Sequence, residues 1–247
     1  MNILLLNPNM SVSMTESMHA VAESAVSPSV QLVPVTASRG FPYISSRAEA
    51  QIAGGLVLEM LAEHQSEADA AVIAAFGDPG LAAAREIFNI PVIGMAQAAI
   101  TAASMLGERF SIVTFSPQMS RWYLDSVESS GLGGKFAGVR TPESDSLDPF
   151  GPQESMHAEL LTLIDQAVNL DGADIVILGG APLAGIAPLL QPSSRAVLVD
   201  PIACAVTLAE SMTRITDKIA LGNRRTKPAA KPTTGLSPSL AAIIERE

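Results

Sequence analysis

The sequence predicts an α/β protein of two similar lobes, each with a short parallel sheet flanked by helices. Short apolar segments alternate along the chain with longer segments of helical pattern, as is typical of parallel sheets. Residues 71–76 contain no polar side chain, which fits a strand that is covered on both faces. The two halves of the chain also match each other. Together these observations predict two related α/β units in one chain.

Each element follows from local apolar runs and turn signals. Strands are predicted at residues 2–6, 31–36, 71–76, 91–94, 109–115, 136–140, 174–178 and 196–199. Helices are predicted at residues 13–25, at 47–64 with an interruption at Gly54 and Gly55, from the turn after residue 77 to residue 88, at 95–106, around Trp122 and Tyr123, before residue 169, and at 201–215. Residues 38–46 form a loop long enough to act as a lid, and residues 141–153 form a polar loop. The rest is predicted to be an irregular tail that ends in a short helix.

The internal match suggests a duplication. A shift of 105 positions pairs Ala75 with Gly180 without a gap, and a shift of 109 pairs residues 7–11 with 116–120. Two such halves predict lobes related by a pseudo-twofold axis. We expect residues 1–95 with about 205–247 in lobe 1 and residues 96–204 in lobe 2.

Four loops should then face one cleft between the lobes, because ligands in open α/β sheets bind beyond the carboxyl ends of the strands. These loops are residues 7–11, 76–80, 116–120 and 180–185. In the second of them, Gly77 and Gly80 permit a tight turn, while Asp78 and Pro79 are predicted to start a helix with Asp78 as its cap. Unpaired amides at such a turn favour anionic groups.

Composition excludes several classes of protein. The 247 residues carry a net charge of −10, which argues against a nucleic-acid partner. Cys204 is the only cysteine, so no intramolecular disulfide forms, and three scattered histidines make a metal site improbable. We see no secretory signal and no apolar run of the ~20 residues that span a membrane, so a cytoplasmic protein is expected. The basic cluster Arg224, Arg225, Lys227 and Lys231 is interpreted as a solvated tail.

Several motifs resemble the aspartate/glutamate/hydantoin racemase superfamily, in particular its hydantoin and allantoin racemase branch. They are residues 7–9 (NPN), 76–81 (FGDPGL), 90–94 (IPVIG), 178–179 (LG) and 199–201 (VDP). The combination is specific, although each motif alone is weak.

The resemblance implies a mechanism that uses two cysteines and no metal or organic cofactor. One thiolate removes a proton from a stereogenic carbon, and the opposite thiol returns a proton to the other face. The family cysteines align with Ala75 and Gly180, so both are missing here. Cys204 lies in an apolar helical stretch and is interpreted as a small buried side chain. The two-thiol mechanism therefore does not carry over.

The remaining candidates surround the predicted cleft. Asp78 is a possible general base, with helix capping as the favoured alternative. Tyr43 and Arg47 on the lid are candidates to close over a carboxylate, with a local salt bridge of Arg47 as the equal alternative. The full predicted substrate-binding set is Asn9, Tyr43, Ser45, Arg47, Ala75, Phe76, Gly77, Thr114, Ser116, Gly180, Ala181, Pro182 and Leu183.

These observations predict a cofactor-independent racemase or isomerase that acts on a small hydantoin, amide or carboxylate through groups other than cysteine. The alternatives are a related decarboxylase or lyase, a noncatalytic ligand-binding relative, or a chain whose cysteines were replaced to trap a ligand. The expected partners are a small-molecule substrate and further copies of the chain in a homo-oligomer.

Overall fold

The computed structural model describes residues 1–143, 153–216, 218–223 and 227–246. Its strands form two parallel sheets of four strands each. The first sheet, in the order β2-β1-β3-β4, contains β1 (Asn2–Asn7), β2 (Gln31–Thr36), β3 (Ala70–Ile73) and β4 (Val92–Gly94). The second, in the order β6-β5-β7-β8, contains β5 (Phe110–Val113), β6 (Phe136–Arg140), β7 (Ile175–Leu178) and β8 (Val197–Val199).

Helices connect the strands and flank both sheets. They are α1 (Val12–Ala25), α2 (Arg47–His64), α3 (Leu81–Ile87), α4 (Met95–Leu106), α5 (Ser120–Ser130), α6 (Gln153–Asn169), α7 (Ala187–Leu190), α8 (Pro201–Ile215), α9 (Lys218–Gly222) and α10 (Pro238–Glu245). The two sheets have the same strand order and the same alternation with helices. The predicted fold class of two similar α/β lobes is therefore confirmed.

Two helices join the lobes. Helix α4 follows the last strand of the first sheet but packs against β5, β7 and α5, whereas α8 follows the second sheet and packs against β1, β3, β4 and α1. The two helices also contact each other. A continuous apolar core consequently runs through both lobes. The end of α4 leaves Met105 and Leu106 exposed, and assembly into a homo-oligomer stays a prediction.

The element boundaries differ from the sequence prediction in several places. Strand β3 ends at Ile73, so residues 74–76 leave the sheet and enter the cleft loop. The tail contains the additional helix α9, which has only five residues and therefore too little periodicity to be predicted. Most of the predicted polar loop at 141–153, and Arg224 and Arg225 of the basic cluster, lie outside the described residues. No described helix has both the length and the apolar character needed to cross a bilayer.

Helix α2 is continuous, so the predicted interruption at Gly54 and Gly55 is wrong. Its first turn is fixed by a capping box, in which Ser46 and Glu49 satisfy each other's backbone amides. Gly54 faces the cleft loop: an ideal β-carbon there would lie 3.0 Å from the Gly80 amide nitrogen. Gly55 faces open space. Gly54 therefore allows close packing between two backbones rather than a break in the helix.

Gly54→Ala and Gly55→Ala form a matched pair of variants. Gly54→Ala should lower the free energy of unfolding by roughly 1–3 kcal/mol, because the loop backbone at Gly80 must move away. Gly55→Ala should raise it by roughly 0.5–1 kcal/mol, since alanine favours the helix and meets no neighbour. Urea unfolding measures both. Equal effects of the two substitutions would contradict this packing role.

Candidate active site

The loops that follow strands of both sheets meet at a narrow cleft between the lobes. The cleft holds about 30 Å³ and is lined by Asn9, Met14, Tyr43, Ile44, Ala75, Phe76, Phe115, Trp122, Tyr123, Gly180, Ala181 and Pro182. Ala75 and Gly180, which the internal match pairs, thus face the same space. Seven of the thirteen predicted substrate-binding residues line this cleft, namely Asn9, Tyr43, Ala75, Phe76, Gly180, Ala181 and Pro182.

Backbone amides from both lobes remain unused at the cleft. Within the described part of the chain, the amides of Phe76 and Gly77 in lobe 1, and of Gly180 and Ala181 in lobe 2, donate no hydrogen bond to another protein group. Positive φ angles of 110° at Gly77 and 124° at Gly180 accompany these turns. Amides held in this way are suited to bind an oxyanion or a carbonyl oxygen.

The N-terminal loop contributes Asn9 to the cleft. The buried Asn7 amide donates to the Asn9 side-chain oxygen at 2.9 Å, and the Asn9 amide nitrogen makes only a 3.6 Å contact with the Met14 sulfur. The same Asn9 oxygen accepts the Ser11 backbone amide. Asn7 therefore holds Asn9 with its oxygen occupied and its NH₂ group weakly engaged, which leaves a donor for a ligand.

Aromatic side chains fill most of the cleft. The Phe76 and Tyr123 rings lie 4.5 Å apart, and the Trp122 and Tyr123 rings 5.9 Å apart. An ideal β-carbon at Gly77 would lie 2.2 Å from the Trp122 ring, so Trp122 occupies the place of a side chain at Gly77. Phe115, Trp122 and Tyr123 line the cleft but are not among the residues predicted from sequence. The internal match predicts only that the adjacent residues 116–120 lie at the cleft.

Trp122 also separates the cleft from larger cavities outside it. One cavity of about 310 Å³ is bordered by Asp78, Arg85, Gln97 and Asp125, and another of about 560 Å³ by Arg47, Gly54 and Gly80. Trp122 lines the cleft and both cavities. Movement of this one side chain would join the cleft to the neighbouring space.

Asp78 caps a helix, but a different helix from the one predicted. Helix α3 begins at Leu81 with Gly80 as its N-cap, and the Asp78 carboxylate instead accepts the amides of Ala96 and Gln97 in α4, both at 2.8 Å. Asp78 has a φ of 51°, which turns its side chain toward α4. The carboxylate is enclosed by protein, and this burial raises its pKa to about 6 although the two amides oppose the rise. It borders the outer cavities, not the cleft.

Asp200 has the corresponding role in lobe 2. Its carboxylate accepts the amides of Ile202 and Ala203 in the first turn of α8, and the Gly185 amide at 2.7 Å. Burial raises the pKa of Asp200. Cys204 lies one turn into the same helix, half-buried, where burial and then the Asp200 charge raise the pKa of its thiol to about 11. The thiol is not among the cleft-lining groups.

The other predicted residues have structural contacts outside the cleft. Ser45 donates to Glu49, and the Ser116 hydroxyl accepts the Gln118 amide. Arg47 pairs with Asp125 on α5 through two hydrogen bonds of 2.5 Å and borders an outer cavity. Arg47 therefore forms an ion pair between α2 and α5, and its contact with a carboxylate substrate stays a prediction.

Three further predicted residues also lie away from the lining. Leu183 is buried and donates its amide to Gly180, Gly77 borders the outer cavities, and Thr114 lies buried beside Tyr123. Among the described residues no group of three or more His, Cys, Asp and Glu side chains is placed to hold a metal ion.

The Asp/Glu/Hydantoin racemase family model matches residues 3–209. The chain belongs to this family. It is 33% identical over 236 residues to a hydantoin racemase of Paenarthrobacter aurescens, covering 94% of this chain and 99% of the relative. Allantoin racemase from Klebsiella pneumoniae has a similar structure, with a TM-score of 0.86 and 30% identity over 97% of this chain and 98% of that one. Allantoin racemase from Pseudomonas fluorescens has the same TM-score at 26% identity, covering 95% of this chain and 100% of that one. The resemblance to the hydantoin and allantoin racemase branch is confirmed.

In this member of the racemase family, the backbone at Gly180 has a conformation that favours glycine. At Gly180, φ is 124° and ψ is 142°, a combination that L residues rarely adopt. An ideal β-carbon there would lie 2.7 Å from a Phe115 ring carbon. A side chain at residue 180 would therefore be strained, whereas Ala75 carries a β-carbon at the cleft.

Asp78→Asn should change how stability depends on pH. The pKa of Asp78 is about 6 in the folded protein, against an ordinary value of 3.8. Because the folded state binds this proton more tightly than the unfolded state, the free energy of unfolding falls as the pH rises from 3.8 to about 6. The asparagine variant lacks this titration. Its free energy of unfolding, relative to the wild type, should increase between pH 4 and pH 7 by up to about 3 kcal/mol. Urea unfolding of both proteins across this range provides the measurement, and a pH-independent difference would contradict it.

Gly180→Cys should destabilise the protein far more than Ala75→Cys. The first substitution forces an unfavourable φ and a contact with Phe115, at a cost of about 2–4 kcal/mol, and the second should cost less than about 1 kcal/mol. Adding Phe115→Leu to Gly180→Cys should recover part of the loss. Thermal or urea unfolding tests all three proteins. Equal tolerance of both cysteines would show that the loop adapts freely.

Proposed function

We propose that the protein is a cofactor-independent isomerase of the racemase type, acting on a small molecule with a hydantoin, amide or carboxylate group. The observation that carries this proposal is the set of unused backbone amides on residues that line one cleft, Phe76 from lobe 1 and Gly180 and Ala181 from lobe 2. The names of its relatives support hydantoins and allantoin as the first substrates to test.

The amides can stabilise the intermediate that such a reaction needs. Removal of a proton from a carbon beside a carbonyl group moves negative charge onto the carbonyl oxygen. Fixed amide donors stabilise this charge without a side chain and without reorganising during the reaction. The Asn9 NH₂ group adds a side-chain donor at the same cleft. The reaction therefore retains its oxyanion site after the loss of the thiols.

A decarboxylase is the second candidate. Among the described residues that line the cleft, none carries a carboxylate, imidazole or thiol. Decarboxylation needs no base, because carbon dioxide leaves and its bonding electrons stay on the carbon as a carbanion. That carbanion then needs one proton from an acid. The same amides would hold its oxygen.

Ligand entry should involve Trp122. A space of about 30 Å³ is comparable to one water molecule and is too small for a five-membered ring with two carbonyl groups. Because Trp122 borders a cavity of about 310 Å³, its displacement would supply the missing room. It is the only tryptophan of the chain, so its fluorescence reports binding directly.

Single enantiomers of 5-substituted hydantoins and of allantoin, incubated with the protein in deuterated water, test the proposal. We expect deuterium at the stereogenic carbon together with loss of optical rotation, both faster than without protein. Hydantoins exchange this proton slowly unaided, so the rate without protein must be subtracted. Release of carbon dioxide from malonate-type diacids, together with no deuterium exchange in hydantoins, would favour the decarboxylase.

Two alanine-to-leucine variants provide the matched control for this test. Ala75→Leu fills the cleft and should abolish exchange, whereas Ala20→Leu on the exposed face of α1 should leave it unchanged. A change in Trp122 fluorescence without exchange or carbon dioxide release would support a noncatalytic ligand-binding relative and contradict both enzymes.

A further inference from the structure

The phenol of Tyr123 lies beside Gly180, the cleft residue of lobe 2 that has no side chain. The Tyr123 hydroxyl is 3.3 Å from the position of an ideal β-carbon at Gly180, and its ring carbon Cε2 is 3.2 Å from the corresponding position at Gly179. The Tyr123 ring thus covers both glycines and carries its hydroxyl to the wall of the cleft. The phenolic oxygen therefore lies in the region from which a side chain at Gly180 would act.

The surroundings of Tyr123 hold its ring in place. The ring contacts those of Phe76 and Trp122, and the residue is 2% exposed. Burial raises the pKa of the phenol, and the neighbouring Thr114 hydroxyl opposes part of this rise. The buried Thr114 hydroxyl makes no hydrogen bond of ordinary geometry with a described residue, so it is free to donate to a phenolate. The phenol therefore stays protonated at neutral pH and has a second hydroxyl beside it.

We propose that Tyr123 is a catalytic residue that donates a proton to the lobe 2 face of the bound carbanion. This inference rests on the proposed function. In the step, the phenolic O–H bond breaks and the carbanion electron pair forms the new C–H bond. The electrons of the O–H bond remain on the oxygen as a phenolate, which accepts a hydrogen bond from Thr114 and is later reprotonated by water. The same step completes a decarboxylation. It also completes a racemisation, in which a hydroxide ion from solvent first takes the substrate proton on the lobe 1 face and becomes water.

Other titratable groups are less well placed for this transfer. Among the described residues that line the cleft, Tyr43 and Tyr123 carry the only titratable side chains, and Tyr43 belongs to the lid. Asp78 is bound to the amides of α4 outside the cleft, and the Cys204 thiol lies on α8. Tyr123 is the one acid adjacent to Gly180.

Tyr123→Phe removes the hydroxyl and keeps the ring between Phe76 and Trp122. With a substrate that the wild type turns over, deuterium incorporation or product formation should fall by about 10²–10⁴-fold, the usual range for loss of a general acid. Binding of 5,5-dimethylhydantoin, which has no proton to exchange at its ring carbon, should change by less than about threefold when followed by Trp122 fluorescence. Turnover within about threefold of wild type would overturn the role of Tyr123 and leave the proposed function intact.

Failure of the proposed function is visible separately. If the wild type neither exchanges nor decarboxylates any substrate of these classes, the proposed function is wrong, and the role of Tyr123 falls with it. Equal loss of binding and turnover in Tyr123→Phe would assign the residue a structural role instead of proton transfer.

A second experiment does not depend on removing the hydroxyl. The chain has two tyrosines, so in a Tyr43→Phe background Tyr123 is the only one, and 3-fluorotyrosine can be incorporated there alone. Fluorine makes the phenol more acidic with little change in size. A more acidic phenol gives up its proton more readily, so turnover should rise relative to the same background without fluorine. Unchanged or slower turnover would contradict proton donation by Tyr123.

Discussion

One carboxylate in each lobe joins a cleft loop to the first turn of the helix that packs on the other lobe, α4 for Asp78 and α8 for Asp200. The geometry of the site depends on these two contacts. Asp78 comes from the loop of lobe 1 and binds the first turn of α4. Asp200 precedes α8, binds its first turn, and reaches back to the loop amide of Gly185. In lobe 1 the carboxylate belongs to the loop and binds the helix, whereas in lobe 2 it belongs to the N-cap of the helix and binds the loop. Because α4 and α8 each pack against the other sheet, the anchors also link the two walls of the cleft.

Three residues that line the cleft, Phe76, Gly180 and Ala181, have backbone amides without a protein acceptor among the described residues. Ala75 and Gly180 contribute no proton-transferring group, and Phe115, Trp122 and Tyr123 fill much of the cleft. The proposed oxyanion site therefore has an aromatic lining and a phenol beside Gly180. A backbone-built site of this kind tolerates the loss of thiols better than a site built from charged side chains, since its donors do not depend on residue type.

Much of this arrangement was predictable from local patterns. The apolar runs predict the strands, and the internal match predicts that Ala75 and Gly180 face one cleft. Local patterns do not predict contacts with a distant element. Asp78 followed by Pro79 has the pattern of a local cap, but the carboxylate binds the amides of α4. The pattern around Arg47 does not reveal its partner Asp125, which lies 78 positions away. The pair Gly54 and Gly55 predicts a helix break, whereas Gly54 packs against Gly80, which is distant in sequence.

The sequence by itself determined the fold class, the match between its two halves, the family and the lack of a cysteine at Ala75 and Gly180, because these depend on residue identity and on regular spacing. Only the tertiary structure decided which groups lie beside these two positions. Tyr123 lies one turn into an ordinary amphipathic helix, and nothing in its local pattern distinguishes it from a core residue. Its proximity to Gly180 arises where the Tyr123 side chain meets Gly179 and Gly180 after β7, which is a contact between segments more than fifty residues apart. Such contacts depend on the relative placement of elements, which local sequence does not encode.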